Sequence, residues 1–274
     1  MARATKTDKA SGKGGSGKGR PKRSAPRNPP RKNARSARKK RGWFSRIADA
    51  TVMTLRWTIR GLIAIAAAFV LLVALYAFVN PPTTPYIWSE TRRLGTVDRQ
   101  WVDLAEIEPV LARSVIAAED ANFCLHWGFD MEAIRDALEE GGARGASTIT
   151  QQVVKNVFLW HGRSWARKAL EAVMTPVVEA LWSKRRIVEV YLNVAEFGEG
   201  VFGAEAAART AFRVGPEALA PWQAARLAAI LPDPKGRSAS NPSRYVRNRA
   251  RDIADGAATI QSDGRADCVA GVAQ

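Results

Sequence analysis

Residues 116–130 read IAAEDANFCLHWGFD. Upstream, Ile107, Val110, Leu111, Val115 and Ile116 recur at helical spacing, so an apolar face runs into two adjacent carboxylates, Glu119 and Asp120. One ionised carboxylate is already costly to desolvate, and taken alone the pair reads as a surface turn or helix start. The residues that follow change this reading. Phe123, His126, Gly128, Phe129 and Asp130 set aromatic rings beside the pair, and an aromatic wall raises a carboxylate's pKa toward the range useful for proton transfer. His126 reads as a residue that holds the loop through its ring nitrogens. With His161 the only other histidine, a metal-only site finds no support.

Outward from this stretch the helical period persists. Met131, Ile134 and Leu138 keep it, as do Ile187, Val190, Tyr191 and Val194, and no sustained period-two alternation or hairpin signal occurs. The expected fold class is therefore mainly α. GGARGAS (141–147) breaks the pattern as a mobile loop and delivers a helix with Ser147 or Thr148 at its N-cap. In GASTITQQVVKN (145–156), a helix puts Gln151 and Lys155 on one face and Gln152 three residues from Lys155, amides and an ammonium suited to sugar hydroxyls and a phosphate. Alone, an ordinary solvated face fits equally well. RSWARKALE (163–171) spaces Arg163, Arg167 and Glu171 at i, i+4, i+8, with Lys168 three before Glu171. By itself this is a salt-bridge ladder; joined to Lys155 it can hold a pyrophosphate. KRRIVEVYLNVAEFGEG (184–200) reads as a bracing helix through Glu189, Tyr191 and Asn193.

Composition sets the frame. A chain of 274 residues, 46% hydrophobic, holds one substantial core with accessories and no second large catalytic domain. The net charge of +16 sits at one end: residues 1–60 carry 19 Lys and Arg against Asp8 and Asp49, and the remainder carries 23 against 24 acids. Residues 1–45 are expected to be disordered, since through about Arg41 almost no large apolar side chain occurs. GRPKR (19–23) resembles a minor-groove hook, but such short basic matches arise readily, and the near-neutral folded part argues against nucleic acid as its partner. Gly61–Val79 is nineteen residues without a charge, after Arg56 and Arg60 and before Asn80-Pro81-Pro82, which suits a transmembrane helix with a cytoplasmic N-terminus. The expected order is tail (1–45), juxtamembrane segment and membrane helix (46–80), stem (81–92), folded domain (93–255) and loosely packed end (256–274). Cys124 and Cys268 fall on the exported side, where they either pair or stay as two thiols.

Four stretches, in order, match E-D-x-x-F-x-x-H-x-G, G-x-S-T-I-T-Q-Q-x-x-K-N, R-K-x-x-E and K-x-x-I-x-E-x-Y-L-N. The chain thereby resembles the monofunctional biosynthetic peptidoglycan glycosyltransferases, stand-alone counterparts of the glycosyltransferase module of class A penicillin-binding proteins, over about Arg93 to Arg251. It departs at AARTAFRVG (207–215), where family members more often carry an aromatic pair. The resemblance implies a lysozyme-like domain with a partly membrane-embedded lobe, acting on lipid II and the growing lipid-linked glycan chain at the bacterial inner membrane. It implies Glu119 as general base and Glu171 as second carboxylate. Lys155, Arg163, Arg167 and Lys168 would bind pyrophosphate, with Gln151, Gln152, Ser147 and Thr148 also on substrate, and Asp120, Phe123, His126 and Asn156 in support. No cofactor is obligatory, though Mg2+ or Mn2+ at the pyrophosphate fits the chemistry, and cell-wall synthesis or division proteins are candidate partners. Two alternatives remain: a lysozyme-like hydrolase, which has no need of the cations, and a membrane-anchored interaction module. A second, acylating domain finds no room after residue 251, and S-x-x-K at Ser36–Lys39 lies in the basic tail.

Overall fold

The computed structural model of the protein describes residue 19 and residues 32–141, 145, 147–162 and 164–270. Most of the basic tail, part of the glycine-rich loop and Arg163 therefore lie outside the described residues. The chain forms two compact units, residues 1–61 and 62–274.

In the first unit the described backbone is helical from Lys32, where α1 (Lys32–Tyr76) begins. Disorder was expected through residue 45. The segment between Pro30 and Gly42 contains neither Gly nor Pro and is rich in Ala, Lys and Arg, which all favour helix. Within α1, Ala48–Tyr76 is long and apolar enough to cross a membrane, and almost none of its most apolar window is buried, unlike a core helix.

In the second unit the end of α1 is held by packing. Phe69 meets Phe158 edge to face at 5.4 Å, and the Trp182 indole donates to the Val73 carbonyl at 2.7 Å. The expected stem is instead part of the core. Thr84 caps α2 (Pro85–Leu94), Pro85 fills its first turn, and Tyr86 and Ile87 are buried. The central helices follow as α3 (Pro109–Glu119), α4 (Met131–Glu139), α5 (Ile149–Phe158), α6 (Trp165–Leu181) and α7 (Lys184–Val194). Behind them come α8 (Gly203–Phe212), α9 (Pro221–Ile230) and α10 (Arg244–Ser262). α3, α9 and α10 pack on one another; α5 packs against α6 and α7. Leu111, Ile116, Phe123, Ile149, Ile187, Tyr191 and Phe202 fill the space between. A small sheet joins β1 (Asp98–Arg99) parallel to β3 (Val201–Phe202), with β2 (Glu196–Gly198) antiparallel on the other side. Its strands are too short to leave an alternating pattern in the sequence.

The end of the chain also differs from expectation. Ala257 and Ile260 of α10 are buried, as are Ala266 and Val269 beyond it, and a disulfide joins Cys268 to Cys124. This bond closes 144 residues of chain and ties the end to the loop after Glu119. Loop closure of that size contributes about 2–5 kcal/mol. Cys268→Ser is expected to lower the unfolding free energy in urea by about that amount, and reductant should no longer shift the midpoint of the variant. Equal stability of variant and oxidised parent would contradict a stabilising bridge.

Candidate active site

Glu119 is the last residue of α3, and Asp120 ends the helix. The Asp120 carboxylate accepts from the Ile149 N–H at 2.9 Å through Oδ2 and pairs with His126 Nε2 at 2.7 Å through Oδ1. It thus satisfies one of the free amides that open α5 while fixing the loop. Lys184 donates to the His126 carbonyl at 2.8 Å and to Glu179 at 2.9 Å, and its ammonium lies 4.3 Å from the centre of the Phe123 ring. Phe123 is fully buried beneath this arrangement. Gly128 is required here: its φ is +80°, and a Cβ would come within 2.8 Å of the Thr175 methyl.

α5 begins with a capping box. Thr148 Oγ1 accepts from the Gln151 N–H at 3.3 Å, and Gln151 Oε1 accepts from the Thr148 N–H at 3.0 Å. Thr148 also donates to the Gly128 carbonyl at 2.8 Å. This corrects the expectation for Gln151, which is turned into the cap and buried. Gln152 has the free face. Its Nε2 donates to Glu119 Oε2 at 2.9 Å, and its Oε1 accepts from the Tyr191 hydroxyl at 3.3 Å. Because Tyr191 occupies the amide oxygen, the nitrogen is left for the carboxylate. Glu119 Oε1 is buried with no hydrogen-bond partner among the described residues. Burial pushes the Glu119 carboxyl above its usual range, against the pull of Gln152, Arg249 and Lys155.

On α6 two cations converge on one carboxylate. Arg167 Nη1 lies 2.9 Å from Glu171 Oε2, and Lys168 contacts Glu171 Oε1 and donates to Ser147 Oγ at 3.0 Å. Ser164 caps this helix, and Arg167 Nε reaches the Gly162 carbonyl at 2.8 Å. Glu171 is buried. Lys155 differs: its ammonium makes no hydrogen bond or ion pair with any described residue, and burial lowers its pKa against the opposing charge of Glu171. Two cavities flank this group. One, of about 460 Å³, is lined by Glu119, Asp120, Ser147 and Thr148. The other, of about 340 Å³, is lined by Gln152, Lys155, Asn156 and Tyr191.

The second cavity also brings in residues that the sequence reading did not place in the site. Tyr86 stacks on His161 at 4.0 Å and hydrogen-bonds Glu196; Lys235 reaches Glu90 at 2.9 Å. They come from four separate segments, so no local spacing signals them. Bracing from α7 is as expected: Asn193 exchanges two hydrogen bonds of 2.8 Å with the Val102 backbone, and Glu189 accepts from the Leu104 N–H.

Among the described residues one group has metal-ligand chemistry. Ligand-type atoms of Asp120, His126 and Asp130 lie within 4.8 Å of one another, yet every oxygen of both carboxylates already accepts a hydrogen bond. Both oxygens of Glu171 face cations.

A carboxylate set beside clustered cations distinguishes this domain from a plain helical bundle, and comparison with known proteins decides its kinship. Residues 89–258 match the family model described as transglycosylase. The chain belongs to the transglycosylase family. It is similar to a biosynthetic peptidoglycan transglycosylase of Jannaschia sp. (strain CCS1), 57% identical over 237 residues that cover 86% of this chain and 99% of that protein. A namesake from Caulobacter vibrioides is 47% identical over 212 residues, 76% of this chain and 93% of its own. Another, from Stutzerimonas stutzeri (strain A1501), is 51% identical over 199 residues, covering 69% and 82%. The matched region starts within α2, so the family's domain includes the last four residues, 89–92, of the expected stem. In this transglycosylase, α1 supplies one helix suited to anchoring the domain in a membrane.

Proposed function

We propose that this membrane-anchored transglycosylase joins lipid II units into β-1,4 glycan strands with Glu119 as general base. One observation carries the assignment of roles: a carboxylate with a buried, unpartnered oxygen stands beside a cation cluster in which Lys155 has no partner of its own. Glu119 takes the proton of the acceptor sugar's 4-hydroxyl, whose oxygen attacks the anomeric carbon of the lipid-linked donor strand. The bond from that carbon to the pyrophosphate oxygen breaks with inversion, and the electron pair leaves on the pyrophosphate. Lys155, Arg167 and Lys168 neutralise the departing charge, and Arg163 joins them by its place in the motif. Glu171 orders Arg167 and Lys168; Ser147 positions Lys168. Gln152 orients Glu119, while Thr148, Gln151, Asp120, Phe123, His126 and Asn156 hold the frame. A divalent cation, if used, enters on the pyrophosphate, since the carboxylate oxygens of Asp120, Asp130 and Glu171 are already engaged. A hydrolase acting on finished glycan has a neutral sugar oxygen as leaving group and no use for this cation cluster.

The enzyme works at the bacterial inner membrane with its N-terminus in the cytoplasm, because the basic residues precede the apolar helix. Cell-wall synthesis or division proteins recruit it. A reporter fused after Gln274 should be active only if it requires the periplasm; a cytoplasmic signal would reverse the orientation.

The titration of the two buried groups sets the pH profile. Glu119 must be ionised to act, so the rate should rise with pH through a pKa above that of an ordinary carboxylate. Lys155 must be charged, so the rate should fall at high pH before an ordinary lysine would titrate. The sign for stability is opposite in the acidic limb: a raised carboxyl pKa favours the folded state below the unfolded-state pKa, and this contribution is lost as pH rises through the folded value. A rate profile flat across the acidic limb would contradict the base. The function itself is tested by incubating the full chain with lipid II and resolving the products by gel. Polymer that muramidase digests is expected; the absence of polymer would overturn the reading.

A further inference from the structure

α9 and α10 together build a second charged site, on residues other than Arg249, whose guanidinium reaches the Ala118 carbonyl beside Glu119, and unused by the chemistry above. Trp222 and Arg226 lie four apart on α9; Arg247 and Arg251 lie four apart on α10, with Ala250 and Ala254 lining the same pocket. These six residues enclose a pocket of about 280 Å³. Its floor is small and apolar, and no lining residue is acidic. The Arg226 guanidinium sits 4.6 Å from the centre of the Trp222 ring, which is half exposed and braced edge-on by Phe212. Arg247 donates to the Pro242 carbonyl at 2.6 Å and Arg251 to the Asn248 side chain, which orders both arginines without neutralising either. None of the three has a carboxylate within ion-pair distance among the described residues. Like charges spaced four apart on a helix repel, so a face holding three unneutralised guanidiniums is improved by an anion.

We infer that this pocket binds the carboxylates of a peptide stem carried on the glycan strand or on lipid II. Guanidinium forks match carboxylates in bidentate geometry, and the Trp222 ring offers a flat face to the neighbouring aliphatic atoms. A lipid headgroup is the other source of oxyanions; exposed apolar residues that would meet a bilayer, Trp88, Trp165 and Val173 among them, stand on α2 and α6, whereas Trp222 and Tyr245 are the exposed large apolar side chains on α9 and α10. The naming of the stem, though not the anion site, rests on the proposed function.

Calorimetric titration of the full chain in non-ionic detergent tests this inference. The probes are a lipid-free disaccharide bearing a stem peptide with free carboxylates, the same compound with its carboxylates amidated, and phosphatidylglycerol vesicles. The free-acid probe should bind, weakening with salt. Amidation, or Arg247→Gln with Arg251→Gln in a chain of unchanged melting temperature, should weaken binding at least tenfold. Equal binding of the amidated probe, equal binding by the variant, or arginine-dependent binding of vesicles alone would each overturn the assignment. Failure of the parent to polymerise lipid II in the same preparation would count against the proposed function, whereas arginine-dependent capture of the free-acid probe would still support the pocket.

Discussion

Glu119→Gln is expected to reduce turnover by roughly 10²–10⁴-fold while changing the affinity for a donor-strand analogue by less than about twofold. The substitution keeps size and shape, so the amide can still meet Gln152, which holds the carboxylate at 2.9 Å. What it removes is the lone pair that accepts the proton. A loss of this size corresponds to about 3–5 kcal/mol of transition-state stabilisation. Stability should not fall with it, because an ionised carboxylate with one unpartnered buried oxygen costs the fold free energy that an amide does not. Loss of activity with an unchanged or raised unfolding midpoint would therefore separate chemistry from folding. Near-normal turnover would remove Glu119 from the role of base.

Lys155→Met should act on binding as well as rate. Lys155 is the cation of the cluster that no described carboxylate neutralises, whereas Arg167 and Lys168 both rest on Glu171. Its ammonium is thus free for pyrophosphate, and a charge-assisted contact is worth about 1.5–3 kcal/mol. Donor affinity should drop by roughly 10–100-fold on that basis, with a comparable further loss in turnover. Methionine fills the same volume without a charge to desolvate, so the melting temperature should hold or rise. A variant that loses turnover but keeps full affinity for the lipid pyrophosphate would show that Lys155 acts elsewhere. Arg167→Met is a less clean probe, since it also leaves Glu171 with one partner fewer.

The elements of this site differ in how far the sequence exposes them. The carboxylate pair, the lysine on α5 and the cation-rich turn of α6 are local patterns, and helical spacing alone brings Lys168 and Arg167 onto Glu171. Gln151 and Gln152 could not be separated in that way, because both lie within one turn of Lys155. The decision lies in Thr148 and Gln151, whose spacing is that of a capping box and draws Gln151 away from the site. Tyr86 was hidden by its setting. Thr84-Pro85 is a helix start that also reads as a stem, and only tertiary packing against Phe202 and His161 reveals its burial. The end of the chain misleads for a related reason: small residues suggest looseness, yet Ala257, Ala266 and Val269 are the right size to pack closely. The pairing of Cys124 with Cys268 depends on where α10 delivers the chain, which no spacing encodes.

Transfer and hydrolysis are distinguished most directly by stoichiometry. Lipid II carrying labels on both the disaccharide and the polyprenyl chain would be incubated with the purified full-length protein, and polymerised sugar and released lipid pyrophosphate counted together over time. The expected result is one lipid pyrophosphate released for each disaccharide joined, with no new reducing ends from intact cell-wall sacculi in a parallel incubation. Solubilised sacculi with no polymer from lipid II would contradict the polymerase and leave a hydrolase on the same fold.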